Sequence, residues 1–327
     1  MTDLARHTNN GGGDHRADRS AYARDLLVGR GVHQDVAHAL RLLQLESDEG
    51  NTEALELLAT TAAVGVDRPP DWPMALDLLL SAAERNSERA RGQIRILAHA
   101  AADDRRSWAE LRAAIDLGSW MIVPGRSVLS EAPKVRLVKG FAPQSVCDWL
   151  ISRARGRLRP GLTYDGVTKI EQVDPHRTCS DYQFDILNAD LIVQLVRERI
   201  AAVTRLPTIV MEPPRIFHYA LGEDIKAHFD RLSDGITGYG TSQYHGDRIA
   251  TFLLYLNDGY EGGELSFPKT GFQAKGARGD GIYFAHVDDK GGQDPLSLHA
   301  GLVITRGEKW VMSQWIHDRP FGRPDQV

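Results

Sequence analysis

Apolar residues recur at helical spacing across 21–122, as in Ala37, Leu40 and Leu43 and again in Ala75, Leu78 and Leu79. One face of a 3.6-residue helix returns every three or four positions, so this half of the chain is predicted to be α-helical. The preceding stretch, 1–20, is polar and glycine-rich without any period, which predicts a flexible tail. Pro124-Gly125 and Pro133 then punctuate a linker over 123–133. After it, 134–138 alternates as a strand, while 145–155 and more clearly 188–204 carry helical patterns. From Pro213 onward, glycines and prolines separate short β-rich runs at 215–220, 249–256, 264–267, 281–284, 302–305 and 310–316. Evenly spaced short strands suit a sandwich or barrel, with the earlier helices on one outer face. The expected fold is multidomain: an α-helical domain over 21–122, then a jelly-roll (double-stranded β-helix) domain with supporting helices over 134–327.

The helical half repeats itself. Ala39 to Ala75, Ala54 to Ala90 and Trp72 to Trp108 are each separated by 36 residues. Gly31-Val32 aligns with Gly65-Val66, and Asp35-Val36 with Asp71-Trp72, the second block carrying extra residues around Pro69-Pro70. Ser107-Trp108-Ala109-Glu110 has the spacing of a capping box that would open a final helix. Helix-turn-helix units of this length cannot bury their apolar faces alone and stack into solenoids. Spacing and small residues resemble Sel1-like repeats of the tetratricopeptide superfamily, modules that bind proteins or peptides. Two readings stay open: the repeats hold a protein partner, or they only shield the catalytic domain.

The 327 residues, 42% hydrophobic and 25% charged, have a globular composition with room for more than one domain. A net charge of -5 gives no reason to expect nucleic acid or an anionic membrane as partner. No stretch has the apolar run of a signal peptide or of a membrane span. The two cysteines, Cys147 and Cys179, read as buried thiols and fit a reducing cytoplasm, which is the expected location.

Candidate chemistry sits in three H-x-D triplets: His228-Phe229-Asp230, His245-Gly246-Asp247 and His286-Val287-Asp288. Residues i and i+2 of a strand share a face, so an imidazole and a carboxylate at that spacing can hold adjacent positions on one metal. A histidine from a later strand would complete a two-histidine, one-carboxylate triad with open positions, the donor set of non-haem Fe(II) oxygenases. His299, in Leu298-His299-Ala300-Gly301, is the best candidate, and Lys309 ten residues later stands where it could clamp a dicarboxylate. Composition and spacing leave the choice among the three triplets open.

Here the residues resemble the prolyl 4-hydroxylase branch of the Fe(II)/2-oxoglutarate-dependent oxygenases. The resemblance runs through Arg177-Thr178, Glu212, Tyr219, Gly222, His228-Phe229-Asp230, Arg248-Ile249-Ala250-Thr251, Tyr255-Leu256-Asn257-Asp258 and Gly262-Gly263-Glu264. It continues through Phe267-Pro268, Lys275-Gly276, Phe284, His299 and Gly307-Glu308-Lys309-Trp310 to Trp315-Ile316. It implies His228, Asp230 and His299 as metal ligands, with His245 in the loop before the Arg248 strand and His286 in the loop before His299. It further implies Lys309 and Tyr219 on the distal carboxylate of 2-oxoglutarate, with Thr251 lining the same pocket. Arg248, as a catalytic group, and Trp315 would lie toward the prime substrate, and Arg177 would border its groove.

The implied reaction consumes 2-oxoglutarate and O2 on Fe(II), releases succinate and carbon dioxide and hydroxylates a C–H bond, with ascorbate sustaining turnover. Most of that chemistry belongs to the metal and co-substrate while the protein orients them. The leading substrate expectation is a prolyl residue in a peptide or protein. Peptide-acting relatives carry tyrosine three residues before the first metal histidine, where this chain has Ile225, and Leu265-Ser266 follows Glu264 where threonine is usual. A free amino acid or small metabolite is therefore the alternative substrate, and a non-catalytic repeat scaffold the alternative class.

Overall fold

The structure is a computed structural model that describes residues 12–165, 170–173, 177–231 and 246–321. It divides into two compact units, Met1–Asp116 with Ile186–Gln194 and Leu117–Asp185 with Leu195–Val327.

The first unit is built from α1 (Gly12–Val28), α2 (Val36–Asp48), α3 (Thr52–Val64), α4 (Trp72–Glu84), α5 (Glu88–Leu97) and α6 (Trp108–Ala113). Helix α1 begins inside the stretch expected to be a tail, where Gly11-Gly12-Gly13 hid any apolar period. Each later start has a side-chain cap that accepts from a first-turn amide. Asp35 caps α2, Asn51 α3, Asp71 α4 and Ser87 α5, and Ser107 with Glu110 forms the expected capping box on α6. Small and branched side chains fill the space between helices: Ala23, Leu26, Leu27, Ala39, Leu43, Ala54 and Leu58 form one buried cluster. The buried Glu56 carboxylate is satisfied by Ser87 Oγ and Arg89 Nε, so its charge is paired.

The second unit contains α7 (Leu117–Met121), β1 (Ser127–Glu131), β2 (Lys134–Val138), α8 (Gln144–Ala154), β3 (Arg159–Pro160), β4 (Leu162–Asp165), β5 (Ile170–Val173) and β6 (Ser180–Gln183). After α9 (Leu191–Thr204) come β7 (Arg215–Tyr219), β8 (Ile225–His228), β9 (Arg248–Tyr255), β10 (Glu261–Gly262), β11 (Leu265–Phe267) and β12 (Phe272–Ala274). The chain continues through β13 (Gly281–Ala285), β14 (His299–Gly301), β15 (Ile304–Arg306) and β16 (Lys309–His317). Strand β1 lies within the stretch expected to be a linker. Among the described residues no helix is long and apolar enough to cross a membrane.

The major sheet runs β1-β2-β13-β9-β16-β7-β6-β3 and the minor sheet β12-β11-β14-β8. Alternation sorts the nine buried residues of β16 onto two faces. Trp310, Met312, Gln314 and Ile316 point one way, where Arg155 just after α8 stacks on the Trp310 ring at 5.0 Å. On the same outer side Phe252 of β9 packs 4.8 Å from Phe141, whose carbonyl accepts from Arg199 of α9 at 2.7 Å. Lys309, Val311, Ser313, Trp315 and His317 point inward. There the two sheets meet: Phe284 of β13 packs edge-on against Phe267 of β11 and His299 of β14, with ring centroids 5.4 and 4.7 Å apart. An antiparallel two-sheet sandwich with helices on one outer face is the jelly-roll arrangement expected from the strand spacing. Cys147 and Cys179 are free and buried, and burial pushes both thiols up to about 11.

A candidate metal and co-substrate site

The minor sheet supplies the metal donors. Strands β8 and β14 pair antiparallel with His228 directly opposite His299, which brings their rings to 4.4 Å between centroids. Asp230, two residues past His228, falls on the same side by strand alternation. The three residues offer ligand atoms that all lie within 4.8 Å of one another, the one such group among the described residues. His228 Nε2 stands 3.5 Å from Asp230 Oδ1, and His299 Nε2 3.6 Å from Asp230 Oδ2. Both separations are too long for good hydrogen bonds and suit atoms that share an ion. Backbone carbonyls fix both rings: His228 Nδ1 donates to Lys226 O at 2.8 Å and His299 Nδ1 to Ser297 O at 3.0 Å. The proton is thereby held on Nδ1 and the Nε2 lone pair is left for the metal.

Electrostatics agree with that use. Burial pushes His299 down to about 4, so its ring is neutral at pH 7 and able to ligate. Burial also opposes the charge on Asp230, but the neighbouring imidazoles, His299 foremost, hold its carboxyl well below the ordinary range. At His228, whose side chain is 38% exposed, the attraction of Asp230 outweighs burial and raises the pKa.

Thr251, expected to line the co-substrate pocket, spends its hydroxyl on Asp230. Strand register places it opposite Phe284 on one side and Trp315 on the other, and its Oγ1 donates to Asp230 Oδ2 at 2.6 Å. The same Oγ1 lies 2.7 Å from His286 Nε2. His286 stands in the loop before His299, as expected, just past the end of β13. Ile282 and Phe284 alternate inward along β13, and His286 just past its end keeps that period while its N donates to Ile249 O at 2.8 Å. That two-residue period was visible in the sequence. Burial pushes His286 down to about 3, so it is neutral.

Lys309 and Tyr219 are direct partners across β16 and β7. The Lys309 side chain is buried, and its Nζ donates to Gly263 O at 2.7 Å and lies 5.0 Å from the Tyr219 ring centroid. Gly263 has a φ of +70°, and a Cβ there would strike Ile304 Cδ1 at 2.5 Å, so glycine is required for this close approach. Among the described residues no carboxylate forms an ion pair with Lys309, and burial, then Lys275, pushes its pKa down to about 8. The depression corresponds to a cost on the order of 3 kcal/mol. A buried cation left with one carbonyl fits a pocket completed by an anionic ligand. The Tyr219 hydroxyl borders the same space, its pKa raised by burial.

The residues expected to face the prime substrate divide. The Arg248 guanidinium is taken by Glu212, with Nη2 2.9 Å from Oε2 and Nε on Oε1, and it lies 4.1 Å from the Trp315 ring centroid. Expected to act as a catalytic group on substrate, Arg248 is instead held in an internal ion pair that carries Trp315. His317, opposite Arg248 in the register, also reaches Glu212 Oε1 at 2.6 Å. Arg248, then His317, outweigh burial at Glu212 and lower its pKa to about 2. Trp315 Nε1 and Arg177 Nε are buried without hydrogen-bond partners among the described residues. Arg177 stacks at 4.5 Å on Phe217, which packs edge-on against Trp315. Of the other triplets, Asp247 is held by Arg231 at 2.8 Å and Asp288 accepts from Lys290 N and Gly292 N within a turn, while His245 lies outside the described residues.

A two-histidine, one-carboxylate cluster inside a jelly roll, with a buried cation on the facing sheet, defines a metal-dependent oxygenase site. Residues 214–317 match the family model of the 2OG-Fe(II) oxygenase superfamily. The chain is 34% identical over 228 residues to a probable prolyl 4-hydroxylase 6 of Arabidopsis thaliana, covering 64% of this chain and 78% of that protein. It is 32% identical over 213 residues to a probable prolyl 4-hydroxylase 7 of the same plant, covering 60% and 66%. The chain belongs to the prolyl 4-hydroxylase family of 2OG-Fe(II) oxygenases. A viral collagen prolyl hydroxylase from Paramecium Bursaria Chlorella virus-1, solved as its 2OG complex, aligns with a TM-score of 0.42 at 24% identity over 56% of this chain and 94% of that one. The protein is a 2-oxoglutarate-dependent dioxygenase that uses Fe(II), 2-oxoglutarate and O2.

Proposed function

We propose that this dioxygenase hydroxylates a prolyl residue of a peptide or protein. The observation that carries the reading is the cluster of His228, Asp230 and His299 on the minor sheet, in the same sandwich as the buried Lys309, which among the described residues has no carboxylate in an ion pair, paired with Tyr219 on the major sheet. The Arabidopsis relatives named as prolyl 4-hydroxylases support the substrate class. When bound, Fe(II), 2-oxoglutarate and O2 supply the oxidation: 2-oxoglutarate becomes succinate and CO2, and one oxygen atom enters the substrate C–H bond.

The chain's own residues hold these groups. His228, Asp230 and His299 bind the metal, and Thr251 donates to Asp230 and orients it. Lys309 and Tyr219 receive the distal carboxylate. Trp315 and Arg177 border the substrate side of the site, and Arg248 positions the Trp315 ring. The buried aromatic and aliphatic side chains around them exclude water, which strengthens each of these interactions.

The helical unit is read as Sel1-like repeats over 21–122 that recruit a protein partner, followed by the catalytic domain over 134–327. Caps Asp35, Asp71 and Ser107 succeed one another at the interval of 36 residues that separates the sequence blocks, and so do Asn51 and Ser87. Ascorbate as the sustaining reductant and a cytoplasmic location complete the proposal; the free thiols Cys147 and Cys179 suit a reducing compartment.

A free amino acid is the second reading. It is favoured by Ile225, whose apolar side chain packs against the cluster of Tyr219 and Trp315 where peptide-acting relatives carry tyrosine. The test is incubation with proline-containing peptides and with free proline, read by mass spectrometry and succinate release. A gain of one oxygen on peptides alone, dependent on Fe(II) and 2-oxoglutarate and lost in Lys309→Ala, supports the proposal. A gain on free proline alone favours the second reading, and no gain on any prolyl compound overturns both.

A further inference from the structure

A chain of hydrogen bonds behind the metal donors leads from Asp230 into the core. His286, 1% exposed, stands two residues past Phe284 on the inward face of β13, with Nε2 2.7 Å from Thr251 Oγ1, and Thr251 Oγ1 is 2.6 Å from Asp230 Oδ2. Counting hydrogens fixes every direction. The ionised carboxylate has none to give, so the single hydroxyl hydrogen of Thr251 goes to Asp230. Oγ1 must then accept, and His286 Nε2 must carry the hydrogen that it accepts. Nδ1 is left as a bare lone pair, and it is the ring nitrogen without a partner among the described residues, with Phe284 edge-on at 5.1 Å. Because its Nε2 hydrogen is spent on Thr251, His286 offers no lone pair at that atom to an ion.

We propose that His286, acting through Thr251, is a positioning residue that holds the metal carboxylate Asp230 in place. It rests on the reading of His228, Asp230 and His299 as metal ligands. The Thr251 hydroxyl has two partners, Asp230 Oδ2 and His286 Nε2; a hydrogen carried on His286 Nε2 leaves only the orientation that bonds Asp230. Outer partners of ligating side chains typically contribute 10- to 100-fold in metal affinity.

The test is Mn(II) binding to the metal-free full chain by calorimetry, with thermal melts to confirm folding. Glutamine carries an amide nitrogen at about the reach of imidazole Nε2, whereas asparagine places its amide near Nδ1. His286→Gln is therefore expected to bind close to wild type. His286→Asn and His286→Leu are expected to bind roughly 10- to 100-fold more weakly. Thr251→Val with His286→Leu is expected to bind no more weakly than Thr251→Val alone, because the histidine acts through the hydroxyl. If His286→Leu fails to fold, the comparison of glutamine with asparagine decides. Equal affinity in those two variants, or wild-type affinity in His286→Leu, overturns the proposal while the metal reading stands. Wild-type protein that binds no Mn(II), like His299→Ala, overturns both.

Discussion

Lys309 shows how a single residue sets a binding preference. Its ammonium is buried, and among the described residues the Gly263 carbonyl is its one hydrogen-bond partner, so an anionic ligand beside it would offset the cost of burial. Lys309→Ala is expected to weaken 2-oxoglutarate binding about 10- to 100-fold, the worth of a charge-assisted hydrogen bond, as read by equilibrium titration. Burial depresses the free-state pKa to about 8, so the cation is present below that value and lost above it. Affinity for 2-oxoglutarate should fall as pH rises past about 8, and binding there should take up a proton, measurable by calorimetry in buffers of different ionisation enthalpy. The metal end has the opposite sign. Asp230 raises the pKa of His228, so a proton competes for its Nε2 on acidification, and Mn(II) affinity should drop as pH falls.

At the scale of elements, paired strands do the positioning and covering helices supply stability. Phe252 is fully buried between the major sheet and Phe141, and Phe252→Ala should cost roughly 3–5 kcal/mol in denaturant unfolding without touching a ligand. Asp71→Ala removes the α4 cap and should cost about 1 kcal/mol. The elements with strong apolar periods were legible in the sequence: 134–138 is β2, and α8, α9, β7, β9 and β16 fall within a few residues of their expected bounds. The minor-sheet strands that carry the metal histidines were not. Ile225–His228 and His299–Gly301 are three or four residues long with almost no apolar alternation, and they exist because they pair with each other and with β11. The ligands were legible from donor spacing and family resemblance; the hydrogen bonds behind them were not, because Thr251, Asp230 and His286 are joined only by the folding of β9, β8 and β13. Arg248 shows the same limit, since nothing in the sequence alone pairs it with Glu212 rather than with substrate.

For the whole molecule, ligands that bind only the folded state stabilise it by mass action. Mn(II) at a hundred times its dissociation constant should add about 2.7 kcal/mol, and 2-oxoglutarate should raise the melting temperature further only when metal is present. A chelator should reverse both shifts in scanning fluorimetry. His299→Ala should melt at the same temperature with or without metal, because the triad is broken. The central claim is that His228, Asp230, His299 and Lys309 together make one Fe(II) and 2-oxoglutarate site, and anaerobic titration of 2-oxoglutarate into the Fe(II)-loaded full chain tests it most directly. A weak visible charge-transfer band that grows to saturation in the wild type and is absent from His299→Ala is the expected result. Wild-type protein that retains Fe(II) yet gives no band at saturating 2-oxoglutarate would contradict it.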